Sequence, residues 1–165
     1  MLSKCVTLII KIFLICIVNM CNNNFNEAWD NNVTKFADLL GKLESNQTLI
    51  YASSGSVYGQ DGQGRSEYMT LASAQGEYDL TKQMIEKLAY GGKCRTIGLR
   101  FGTVNGYNKF ARSDLMLNAM VMNAVSQKKI ECYNGINHRS ILGINDCVSA
   151  IKTIIDNTNP KECKL

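Results

Sequence analysis

Histidine is nearly absent from the 165 residues, His138 being the only one, and none of the seven cysteines (Cys5, Cys16, Cys21, Cys94, Cys132, Cys147 and Cys163) is spaced Cys-x-x-Cys. The ligand spacing of a tetrahedral zinc site is therefore missing, and no metal is expected. Charge of one sign is scarce too: the net charge is +4 and no run of five or six like charges occurs. Without a basic stripe, nucleic-acid binding is not indicated. The most apolar stretch, residues 6–18, falls short of the ~20 residues that a membrane-spanning helix needs.

What remains is an ordinary globular composition. At 45% apolar and 19% charged residues, 165 positions make room for about one domain with a packed core. An odd number of cysteines, some inside apolar segments such as Asp146-Cys147-Val148, fits reduced thiols used as small core residues. That favours a reducing compartment, hence the cytoplasm.

The chain is organised around residues 48–82. The apolar strand Thr48-Leu49-Ile50-Tyr51-Ala52 empties into Ser53-Ser54-Gly55-Ser56-Val57-Tyr58-Gly59. Small hydroxyl residues at the carboxyl end of a strand stand where open α/β sheets build their sites. Downstream, Tyr78 and Lys82 open a segment whose apolar residues, at 80, 84, 85 and 88, have helical spacing. Four residues apart, the two share a helix face. A nearby ammonium favours the phenolate and lowers the phenol pKa, which makes Tyr78 a usable general acid and base. Ser54 facing it would hydrogen-bond the same substrate oxygen. Such a set suits hydride transfer at a carbinol, although a Tyr and a Lys at i and i+4 are common and carry little by spacing alone.

Three blocks together carry more. Leu49 to Gly59, the Tyr78 to Lys82 pair, and Leu99-Arg100-Phe101-Gly102-Thr103-Val104-Asn105-Gly106 resemble, in order and distance, successive blocks of the extended short-chain dehydrogenase/reductase family, the NAD-dependent epimerases and dehydratases of nucleotide sugars. The resemblance continues to about Ile155. It implies an α/β, Rossmann-like doubly wound parallel sheet with part of a small substrate lobe, and NAD or NADP as cofactor. It implies a nucleotide-sugar substrate, with a homodimer as a candidate assembly. By the same resemblance Ser54, Tyr78 and Lys82 are the catalytic candidates. Ser53, Tyr78, Lys82 and Thr103 are the cofactor candidates, and Ser54, Ser56, Asn105 and Arg139 the substrate candidates. A guanidinium fork at Arg139 suits a diphosphate, the alternative being a surface salt bridge. The family more often carries Tyr at the place of Asn105. The related 4,6-dehydratases carry acidic residues where Gly55 and Ser56 stand, which favours epimerase or reductase chemistry over dehydration.

Periodicity places the remaining elements. Apolar residues at 25, 29, 33, 36, 40 and 43 predict an amphipathic helix from Phe25 to Leu43, with Asn31 and Asn32 read as part of a solvated polar face. Residues 60–64 read as a surface loop, 96–101 as a second buried strand, and 114–125 as a helix. Short strands are predicted at 129–133 and 139–142 around Asn134-Gly135, and Asp146 as the cap of a last helix. Residues 1–21 read as a buried strand, as a membrane-directed leader, or as a misplaced start of the reading frame; residues 22–165 read as the catalytic domain.

The family's Gly-x-x-Gly-x-x-Gly turn, which cradles the cofactor pyrophosphate, does not occur in the sequence. Because a βαβ unit takes about 30 residues, the 24 residues before Phe25 cannot hold the units that normally precede this helix. The expectation is a catalytic middle without the cofactor half. The enzyme is either completed by another segment or survives as a silent fragment acting at most as a binding module.

Overall fold

The computed structural model describes residues 8–10, 21, 23–59, 66–69, 71–107, 109, 112–132, 135 and 138–158. The chain divides into two units, the first built on residues up to Phe101 and the second on Gly102–Asn157. No helix among the described residues is long and apolar enough to cross a membrane.

The first unit centres on a parallel sheet in the order β1-β2-β3. Strand β1 is Leu8–Ile10, β2 is Thr48–Ser54 and β3 is Arg95–Phe101. Leu8 pairs with Thr48, and Ser54 pairs with Phe101. Of the amino-terminal segment, Leu8–Ile10 is thus a strand, and most of the rest lies outside the described residues. Nearly every residue of β2 is buried on both faces, the pattern expected of a central parallel strand.

The predicted helix over 25–43 forms in three pieces. Helix α1, Phe25–Trp29, is capped by Asn24, whose side chain accepts from the Glu27 amide. A π turn, Asp30–Thr34, follows, and then α2, Lys35–Gly41. The π turn inserts one extra residue per turn. Asn32 and Val33 therefore both point inward, at 1% and 6% exposure. This corrects the reading of Asn32 as part of a solvated face; Asn31 stays on the outside, where its side chain accepts from Lys35.

Helix α3, Glu77–Tyr90, covers the same face of the sheet. Val33, Phe36, Leu40, Leu43, Leu49, Tyr51, Ile85, Ala89 and Cys94 form one core cluster. Each large apolar side chain buried there contributes about 1.5–3 kcal/mol, and Phe36 meets Tyr51 edge-on at 5.2 Å. Tyr51 leans across its β3 partner Gly98, where a Cβ would lie 2.5 Å from the phenol oxygen. Only glycine fits beneath that ring.

In the second unit β4, Thr103–Asn105, pairs in parallel with β5, Ile141–Gly143. Helix α4 is Met116–Gln127, closed by Lys128 in the left-handed conformation, and α5 is Ile144–Asn157. Three predictions change here. Residues 129–132 form no strand: all are exposed, and Lys129 pairs with Glu131 within the segment. Arg139 and Ser140 precede β5 instead of belonging to it. Asp146 lies inside the first turn of α5, which starts directly after β5, so its carboxylate complements the helix dipole rather than capping it. The loop at 60–64, with Tyr133 and Asn134, lies outside the described residues.

Candidate active site

The end of β2 and the first turns of α3 hold the catalytic candidates. Beyond Ser54 the chain turns into a single 3₁₀ turn, Gly55–Tyr58, with Ser54 at its amino-terminal cap. The Ser54 hydroxyl accepts from the Ser56 amide at 3.2 Å and from the Ser56 hydroxyl at 2.9 Å. A serine hydroxyl has two acceptor lone pairs and one donor. With both lone pairs taken, the O–H is what Ser54 has left to offer a substrate oxygen. The turn closes at Gly59, whose φ of 87° favours glycine.

Tyr78 and Lys82 lie on one face of α3, the Lys82 ammonium 5.7 Å from the centre of the Tyr78 ring. Lys82 is 3% exposed and its Nζ donates to the Ala52 carbonyl at 3.0 Å. That bond ties the helix bearing Tyr78 to the strand two residues before Ser54. Ser53 is buried as well, and its hydroxyl donates to Glu86 at 2.5 Å. The side chain of Ser53 is thus engaged by α3.

Three more residues bond around these candidates: Asn32, read from the sequence as part of a solvated face, and Glu86 and Arg100, to which the sequence assigned no role. The Asn32 amide donates to Thr81 Oγ1 at 3.0 Å, and Thr81 donates to the Tyr78 carbonyl at 2.8 Å. The turn that presents Tyr78 is braced from the π turn by this chain of bonds. Glu86 extends the Tyr78, Lys82 stripe by one more step of four and binds the Arg100 fork, Nε to Oε1 at 2.9 Å and Nη2 to Oε2 at 2.8 Å. This pair holds the guanidinium in its charged form, well above the usual range. Burial and the Glu86 carboxylate push the Tyr51 phenol up to about 12. The readable signals were a charge at 100 inside an apolar strand and the i, i+4, i+8 spacing at 78, 82 and 86.

Thr103, Asn105 and Arg139 belong to the second unit. Thr103 and Asn105 stand on β4, where the Asn105 amide donates to the Thr103 carbonyl at 3.0 Å. The Asn105 amide oxygen is buried with no partner among the described residues. It adjoins an open depression of about 290 Å³ lined by Asn105, Gly106, Leu117, Asn118, Val121 and Met122. Arg139 is exposed.

For a nicotinamide cofactor the residues fit at one end. A buried ammonium beside a phenol at a strand end suits the nicotinamide ribose and a reacting hydroxyl, whereas no glycine turn for the pyrophosphate is present in the sequence.

The profile of the NAD dependent epimerase/dehydratase family matches residues 4–164. An uncharacterised UDP-glucose epimerase of Bacillus subtilis, YtcB, is 30% identical over 141 residues, covering 81% of this chain and 43% of the relative. The chain thus spans less than half the length of that relative. Among solved structures, a mutant UDP-glucuronic acid 4-epimerase from Bacillus cereus, in complex with UDP-4-deoxy-4-fluoro-glucuronic acid and NAD, superimposes with a TM-score of 0.70. It is 21% identical, and the match covers 82% of this chain and 45% of that one. A dTDP-glucose 4,6-dehydratase from Bacillus anthracis in complex with NAD gives 0.67 at 24% identity, covering 82% and 46%.

Proposed function

The chain belongs to the NAD dependent epimerase/dehydratase family, and on that premise we propose that it carries the proton-transfer machinery of a nucleotide-sugar epimerase or reductase. The observation that carries this reading is Lys82, buried, bonded to the Ala52 carbonyl and set against the Tyr78 ring. A nicotinamide cofactor, NAD or NADP, supplies the hydride acceptor and donor when bound. Tyr78 takes the proton of a sugar hydroxyl at its phenol oxygen and returns it on the way back. Lys82 favours the phenolate and holds the cofactor ribose. Ser54 donates its O–H to the same sugar oxygen, with Ser56 fixing its orientation.

Thr103 and Asn105 serve the nicotinamide and the sugar, and Arg139 the diphosphate. Gly55 and Ser56 supply no carboxyl group beside Ser54, so water elimination lacks the extra acid and base it requires. The test is product analysis with UDP-sugars and NAD, using the chain by itself and joined to the cofactor-binding portion of a family member. An epimerised or reduced sugar is the expected product. A 4-keto-6-deoxy sugar refutes the choice of reaction, and no turnover in the joined form supports a silent binding module instead.

A further inference from the structure

We propose that Arg100 is the positioning residue that holds the serine turn, Ser54 to Tyr58, in register with the tyrosine helix, acting through Glu86 and Tyr58. Three anchors converge on it. Its fork grips both oxygens of Glu86 on α3 at 2.8 and 2.9 Å. Its guanidinium carbon lies over the Tyr58 ring, 4.7 Å from the ring centre, and Tyr58 is the last residue of the turn. Its Nη1 reaches the Glu67 carbonyl, in the segment that leads back to α3, at 3.4 Å.

Glu86 in turn accepts from Ser53, the residue before Ser54. Lys82, one turn earlier on the same helix face, binds Ala52. The strand end is thus pinned at two consecutive residues by α3, and the turn beyond it is pinned at its far end by Arg100. The guanidinium and carboxylate side chains are only 19% and 12% exposed, so water competes weakly for them. Lysine in this place would keep the charge and lose both the fork and the stacking face.

The role rests on the reading of Ser54 as the residue that meets the reacting sugar oxygen, but its structural half is tested separately. Amide hydrogen exchange on the whole chain follows Ser56, Gly59 and Ala72, whose amides bond to Ser54 Oγ, the Ser56 carbonyl and the Val57 carbonyl. In Arg100→Lys these three are expected to exchange about tenfold faster or more, while the core amides of Leu49–Tyr51 and Ile85–Ala89 stay within about twofold, because a local opening exposes only the bonds it breaks. Glu86→Gln, which weakens the other half of the fork, is expected to open the same amides and serves if the first variant folds poorly.

Uniform acceleration overturns the proposal, since the pair then merely adds global stability; unchanged exchange at the turn overturns it as well. In the joined form that turns over, Arg100→Lys is expected to lower kcat with KM for the nucleotide sugar within about twofold, the split produced when a transition-state contact is displaced. Absence of turnover in the unsubstituted protein counts against the proposed function and leaves the exchange result standing.

Discussion

Replacing Lys82 by methionine separates what this residue does for the fold from what it does for chemistry. Lys82 is 3% exposed and the bond from its ammonium to the Ala52 carbonyl spans 3.0 Å. Losing a hydrogen bond made by a charged donor costs about 1.5–3 kcal/mol, and the Ala52 carbonyl is left without that donor. In the opposite direction, holding an ammonium out of water costs several kcal/mol even after relaxation, and methionine, of similar length and fully apolar, removes that cost.

The two effects nearly offset, so Lys82→Met is expected to unfold within about 1 kcal/mol of the parent, or later. Urea titration followed by the fluorescence of Trp29, the single tryptophan, which packs against the core, gives the comparison directly. A loss of about 3 kcal/mol or more, the size seen when a buried pair is broken, would refute this balance and make Lys82 a structural strut. In the joined enzyme the same variant is expected to shift the activity profile to higher pH, because the charge that favours the phenolate is gone.

The Tyr51 phenol predicts a feature at alkaline pH. Its folded pKa is raised to about 12 from 10.0, so the folded state holds a proton that the unfolded chain releases. Stability is therefore full below about pH 10 and falls between about pH 10 and 12, by on the order of 2–3 kcal/mol at about 1.4 kcal/mol per unit. Tyr51→Phe is expected to flatten that limb in urea titrations; an unchanged limb would assign the loss to other groups. A polypeptide of these 165 residues is expected to give no saturable heat when titrated with NAD, because helix amides and a glycine turn normally hold the pyrophosphate and the sequence has no such turn. Micromolar binding would show that another part of the chain supplies the cradle.

The site was legible where local pattern and chemistry coincide. The strand emptying into Ser53 and Ser54 forms in parallel register with β3, and the helix carrying Tyr78 and Lys82 forms over 77–90, because an apolar run and a 3.6-residue period fix an element and its buried face together. The π turn was hidden, since one inserted residue leaves the apolar spacing at 29, 33 and 36 intact while turning Asn32 inward. Glu86 and Arg100 were hidden for a different reason: their pairing bridges a helix and a strand, and a charge in either reads as surface until its partner is known. The strand expected at 129–133 failed because alternation needs a neighbour to bury one face, and residues 129–132 are all exposed.

Tyr78 is proposed to move the proton. Turnover of Tyr78→Phe is measured in the joined enzyme, with the fold checked by the same Trp29 unfolding curve. Loss of a positioned acid and base costs about 10²–10⁴-fold in rate, so kcat is expected to fall by that factor in a protein that still folds. Near-parental turnover would contradict the account and reduce the arrangement of Ser54, Tyr78 and Lys82 to a likeness of fold.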